Sequence, residues 1–90
     1  MVYLITYDLK TPGKDYNLLY DTIKSIGDNF HPLESTWFVK SSLPANSLYT
    51  TLRNVIDEND SLFVVNITKQ GRQGWIPKTA WEWLTKNEQE

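Results

Sequence analysis

Two short segments, residues 2–9 and 62–67, carry bulky side chains at both odd and even positions. In the first, Val2, Leu4 and Thr6 alternate with Tyr3, Ile5 and Tyr7. Successive side chains of a strand point to opposite faces, so such a strand needs cover on both sides. The pattern therefore predicts two central strands in a sheet that is packed above and below.

The segments between them complete the order. Thr11-Pro12-Gly13 reads as a turn, since Pro fixes φ and Gly permits positive φ. Tyr16, Leu19, Tyr20, Ile23 and Ile26 then recur at helical spacing, with Gly27 as a stop. Asp15 puts a carboxylate at the helix start, where free amides and the dipole favour one. Residues 30–40 are rich in β-branched and aromatic side chains and predict a hairpin or bent strand pair, turning near 34–36. Pro44 opens a second helix with Ala45, Leu48, Leu52 and Ile56 on one face, and the polar stretch 57–61 ends it. A loop with two glycines spans 69–74, and Pro77 begins a terminal helix carrying Ala80, Trp81 and Leu84. Residues 87–90 are polar and are expected to fray.

Ninety residues give room for one domain with one core. With right-handed crossovers, the expected fold is α+β: a ferredoxin-like β-α-β-β-α-β sandwich over 1–90, with its core in 1–68 and a short C-terminal helical appendix at 74–86. Two helices cover one face only. The other needs either a second copy of the chain, making a homodimer, or the chain's own 75–84 segment.

Several chemistries are excluded within one chain. There is no cysteine, hence no disulfide framework, thiol catalysis or cysteine zinc site, which fits a cytoplasmic protein. The single histidine rules out a histidine metal cluster, and neither a glycine-rich phosphate loop nor a serine elbow is present. No apolar run has the length of a membrane span, so no membrane role is expected; residues 2–7 lack a basic leader and read as a strand. The net charge of −2 argues against a strongly basic nucleic-acid coat. The cations are nonetheless clustered. Lys69, Arg72 and Lys78 lie in 61–81 without an acid, and Lys10 and Lys14 follow Asp8 closely. These five are either solvated loop charges or, doubled in a dimer, a modest groove for RNA or DNA phosphates.

Asp8 is the informative residue, a carboxylate at the end of a strand expected to be central. It either caps the following turn by accepting backbone amides or binds a metal ion. Mg²⁺ (or Mn²⁺) takes one or two carboxylates with waters and phosphate oxygens, so two Asp8 side chains across a two-fold axis would supply the pair. Such an ion polarises a phosphate and activates water. Ser35 and His31, with Thr36, are candidates to bond the phosphate or orient that water, although an isolated histidine beside Pro32 also fits a structural surface position. Of the four tryptophans, Trp37 and Trp81 sit at apolar-face spacing and read as core; Trp83 falls off its helix stripe and is the better candidate for exposure.

Residues 3–9, Leu33-Glu34-Ser35-Thr36-Trp37-Phe38 and Asp60-Ser61-Leu62-Phe63-Val64-Val65 together resemble the small CRISPR-associated ferredoxin-fold protein of the spacer-acquisition complex, CRISPR-associated protein two. Pro12-Gly13-Lys14-Asp15-Tyr16, Ser35-Thr36-Trp37 and Arg72-Gln73-Gly74-Trp75-Ile76-Pro77 look more closely like its stand-alone SinR-like relatives. The resemblance implies a homodimer, Asp8 at the family's metal-binding aspartate and Ser35 at the Ser of its second element. It implies one of three roles: a Mg-dependent endonuclease on RNA or DNA, a catalytically silent dimeric scaffold for nucleic acid or a partner protein in CRISPR-linked antiviral defence, or a toxin-type or regulatory module of the same fold. The chain differs from that family in having few basic residues around the first helix. Its tail is a Trp-rich helix where the family has a final strand that docks the integrase.

Overall fold

The computed structural model describes residues 1–11 and 13–89. Pro12, in the middle of the expected turn, and Glu90, in the expected frayed end, lie outside them. The elements run β1 (Val2–Asp8), α1 (Asn17–Ile26), β2 (Asn29–Leu33), β3 (Thr36–Lys40), α2 (Ala45–Arg53), β4 (Ser61–Asn66) and α3 (Lys78–Asn87). They make a small α+β structure with a four-stranded antiparallel sheet and three helices. The strand order is β2-β3-β1-β4.

β1 lies between β3 and β4, as its two-sided pattern requires. β4, expected to be a second central strand, is instead an edge. Its apolar residues on both sides have a different cause. Leu62 and Val64 pack beneath the helices, whereas Phe63 stays 62 % exposed on the other face. β2 and β3 form the hairpin, which turns at Glu34-Ser35.

The register sorts the side chains into two layers. Tyr3, Ile5 and Tyr7 stand with their cross-strand partners Val39, Trp37, Val64 and Leu62 on one face. There they meet Leu19 and Ile23 of α1 and Leu48 and Leu52 of α2 to form the main core. Val2 and Phe38 point the other way and are buried against Ala80 and Leu84 of α3, flanked by Phe30, Trp81 and Trp83. The chain's own terminal helix thus covers part of the second face. Trp83, the tryptophan expected to be exposed, rests on Phe38 and Phe30 at ring-centroid distances of 6.1 and 6.5 Å and donates its indole N–H to Asp28 at 3.4 Å. Its position off the Ala80–Leu84 stripe aims it over β2 and β3. The fully exposed tryptophan is Trp75, in the loop before α3.

Local signals explain most element ends. The Asp15 carboxylate accepts the Asn17 N–H at 2.9 Å, in the first turn of α1. A turn closes before it, with the Lys14 N–H donating to the Thr11 carbonyl at 3.3 Å and Gly13 at φ 79°. Gly27 ends α1 for a reason other than left-handed backbone. Its φ is 170°, which any residue adopts, but a Cβ there would collide with the Lys40 carbonyl oxygen. Pro44 and Pro77 stand just before α2 and α3, where a missing N–H costs nothing.

The tail is held rather than frayed. Asn87 and Glu88 are buried, and the Glu88 carboxylate accepts the Lys69 N–H at 2.6 Å and pairs with the Arg72 guanidinium. Lys69 is the one described non-glycine residue at positive φ, at 54°, and this bond fixes it there. Burial works to raise the Glu88 carboxyl, but the Lys69 amide and Arg72 outweigh it and hold it below its ordinary value of 4.5. Replacing Leu84 by Ala removes the main apolar anchor of α3 and is expected to cost about 2–4 kcal/mol in urea unfolding. An exposed-site change such as Thr85→Ala should shift stability by less than about 0.5 kcal/mol.

Candidate functional site

α3 leaves the Asp8 end of the second sheet face open. Strand alternation sets Thr6 and Asp8 on that face beside Phe63, Ser61 and Thr36. A shallow hollow of about 230 Å³ lies among Thr6, Asp8, Ser61 and Phe63. Thr6 and Thr36 bond through their hydroxyls at 3.1 Å, and the Thr6 hydroxyl also lies 3.1 Å from the Ser35 carbonyl. Leu33, 52 % exposed, extends the apolar rim on the hairpin side. The open area thus combines uncovered apolar side chains with a carboxylate and several hydroxyls.

The Asp8 carboxylate is 68 % exposed, and among the described residues it pairs only with the Lys10 ammonium at 3.5 Å and accepts from no backbone amide. The turn after β1 is held by a different carboxylate, Asp60 at the foot of β4. Asp60 accepts the Lys10 N–H at 2.7 Å, the Tyr16 hydroxyl at 2.9 Å and the Asp57 N–H at 2.9 Å. Burial works to raise its carboxyl, yet these bonds and Lys14 prevail and hold it below the ordinary 3.8. Of the two readings of Asp8, turn cap or ligand-facing group, the capping role therefore falls to Asp60. No feature of residues 57–61 beyond their polarity distinguishes Asp60, because two of its three partners, Lys10 and Tyr16, come from the distant segment between β1 and α1.

The other predicted residues are dispersed. Ser35 sits in the hairpin turn with its carbonyl accepting the Tyr7 N–H at 3.1 Å, one residue from Asp8 along β1. His31 stands apart. Its ring stacks on Trp37 at 3.9 Å and 10°, and its Nε2 lies 2.9 Å from the Glu34 carbonyl. Trp37 belongs to the helix-covered layer and donates its indole N–H to the Tyr7 hydroxyl at 3.0 Å, so the structure does not bring His31 to Asp8. Burial pushes the Tyr7 phenol up, which keeps it protonated.

The five cations form two separate groups. Lys10 and Lys14 lie at the Asp8 end, and Lys14 faces Asp57 at 4.0 Å and the Tyr16 ring at 5.5 Å. Lys69 and Arg72 follow the far end of β4, where the Ile67 N–H donates to the Val2 carbonyl, so the length of β1, roughly 20 Å at 3.3 Å per residue, separates them from Asp8. Arg72 is engaged twice, by Glu88 and by the Ile67 carbonyl at 3.2 Å. Lys78 starts α3 and lines a different hollow from Asp8.

No group of three or more His, Cys, Asp or Glu side chains gathers among the described residues, and Lys10 competes for the one carboxylate present. No helix among the described residues is long and apolar enough to cross a membrane. No protein-family model matches the chain, and no curated protein shows significant similarity to it.

Removing the two carboxylates should have opposite consequences. Asp60→Asn takes away the charge that accepts three donors and is expected to destabilise by about 2–4 kcal/mol. Asp8→Asn loses one exposed ion pair and should stay within about 1 kcal/mol of the parent in urea titrations. Asp60 and Glu88 have lower pKa values folded than unfolded, so the unfolded chain binds more protons in acid. Their stabilisation is complete above about pH 5 and is lost as pH falls through the folded values. Asp60→Asn should flatten that acid limb.

Proposed function

We propose that the chain acts as a cytoplasmic homodimer on the phosphodiester backbone of RNA or DNA, with two Asp8 side chains facing each other across a two-fold axis. The supporting observation is the state of Asp8: an exposed carboxylate, free of backbone amides, at the open end of a sheet face beside uncovered Phe63 and Leu33. The β-α-β-β-α-β order with strands in the sequence β2-β3-β1-β4 supports a ferredoxin-like sandwich, and α3 is the helical appendix added to it.

Isologous contact through this face would cover its apolar rim and bring two carboxylates together, supplying the second ligand that one chain lacks. A divalent cation bound there would polarise a phosphate and lower the pKa of a bound water. The chain's own residues have definite parts. Asp8 would hold the ion, and Thr6, Ser61 and Ser35 offer hydroxyls around the same strand ends. Lys10 would exchange its ion pair with Asp8 for a phosphate oxygen. Like-charge repulsion between the two carboxylates would oppose the metal-free dimer, so the cation should strengthen association.

A second reading, a dimeric scaffold for nucleic acid or a partner protein without cleavage, is favoured by two observations. Lys10 already neutralises Asp8, and His31, the one imidazole, faces the other layer. Labelled RNA and DNA incubated with Mg²⁺, Mn²⁺ or chelator decide between them. Cleavage is expected only with metal and should fall at least about 100-fold in Asp8→Asn, while sedimentation gives a dimer for both proteins. Binding without cleavage in any metal would assign the scaffold role. A monomer at micromolar concentration, with or without metal, would remove the paired site.

A further inference from the structure

A second concavity opens at the opposite end of the same sheet face, about 370 Å³ in volume. Its floor is Leu4 and Phe38, its wall is Trp81 of α3, and its rim is the loop carrying Gln70, Arg72, Gln73 and Trp75. Apolar, aromatic walls with a few polar groups at the mouth are the usual make-up of a small-ligand site, and the volume is in the usual range.

We infer that this cavity binds a neutral, flat heteroaromatic ring of nucleobase type, stacked by Trp75. The chemistry of the rim selects the class. Arg72 would ordinarily draw a phosphate, but its guanidinium is engaged by the buried Glu88 carboxylate and by the Ile67 carbonyl, so little charge remains to attract an anion. The remaining polar side chains are two amides, Gln73 and Gln70, the latter already donating one N–H to the Thr68 carbonyl at 3.4 Å; an amide both donates and accepts and so matches the mixed edge of a base rather than an ion. Trp75 is fully exposed and takes no part in any ring contact, although it lines this mouth. A ring seated against Phe38 and Trp81 would give it a stacking partner, and stacking tolerates any base because every base has a π-face. A plain hydrocarbon chain would draw on neither amide.

The site is independent of Asp8, and the experiment keeps the two apart. The full chain, isotopically labelled, is titrated by NMR with adenosine, cytidine, adenosine monophosphate and 1-octanol. Saturable shifts with both nucleosides are expected at Leu4, Phe38, Trp81 and the amides of the 70–76 loop. Trp75→Ala, a change at a fully exposed position, should weaken binding about tenfold or more. Asp8→Asn and chelator should change nothing, so loss of nuclease activity and loss of ring binding are read separately. The monophosphate should bind no tighter than adenosine. Absence of saturable nucleoside shifts at millimolar concentration, or binding unaffected by Trp75→Ala, would overturn the assignment. So would a monophosphate preference above about tenfold, or octanol binding where nucleosides do not.

Discussion

The alternation of β1 governs the rest of the molecule. Its odd residues Tyr3, Ile5 and Tyr7 are buried beneath α1 and α2, while Val2 is buried under α3 from the other side. The seven-residue β1 and its neighbour β3, which sends Trp37 and Val39 to one layer and Phe38 to the other, therefore tie the two layers together. A small domain buries a limited fraction of its surface, and using both faces of one strand raises that fraction without lengthening the chain. The same alternation determines where chemistry can reside. Asp8 falls on the face that α3 only partly covers, and a carboxylate can stand there because the cover stops short of it.

Two acids keep the structure closed, one at each end of the sheet. Asp60 joins the turn after β1 to the α2–β4 connection, and Glu88 fastens the loop after β4 to the end of α3. Each takes donors from a segment distant from itself in sequence, and each is tuned by hydrogen bonds that outweigh its burial. Asp8 has none of these donors. Among the three acids, the one without a structural role is the one facing open space, and such isolation is more informative about function than its position in a strand.

The periodic elements were legible because their signals are local. Helix spacing from Tyr16 to Ile26, proline at 44 and 77, and a hairpin around 34–36 all depend on near neighbours along the chain. What was not legible depends on pairing. Whether residues 62–67 form a central or an edge strand is decided by crossover geometry, and an edge strand with one face under a helix has the same apolar pattern. Residues 87–88 look like a polar tail, and only the distant Lys69 amide and Arg72 make them buried. Trp83 was misplaced because its cover comes from Phe30 and Phe38 of other strands. At the candidate site, Asp8 and Ser35 lie at neighbouring strand ends as their motifs suggest, whereas His31 is turned away by its stacking on Trp37, a contact no spacing rule contains.

The charge distribution constrains how such a chain would hold a nucleic acid. Of the five cations singled out, Lys10 and Lys14 face carboxylates on the surface and Arg72 faces a buried one. The Lys10–Asp8 pair is exposed and readily exchanged, so Lys10 can turn to phosphate at small cost, whereas Lys14 is held between the half-buried Asp57 and the Tyr16 ring and also supports Asp60. Arg72 cannot, because leaving the Glu88 carboxylate buried and unpaired would cost several kcal/mol. Available positive charge is therefore scarce, and with a net charge of −2 per chain the long-range attraction that usually dominates nucleic-acid affinity is weak. Binding under those conditions must draw on contacts that salt does not screen: stacking on exposed aromatic rings, hydroxyl contacts around Thr6 and Ser61, and a cation bridging protein to phosphate. Such contacts favour single strands with accessible bases over duplexes, whose bases are already stacked.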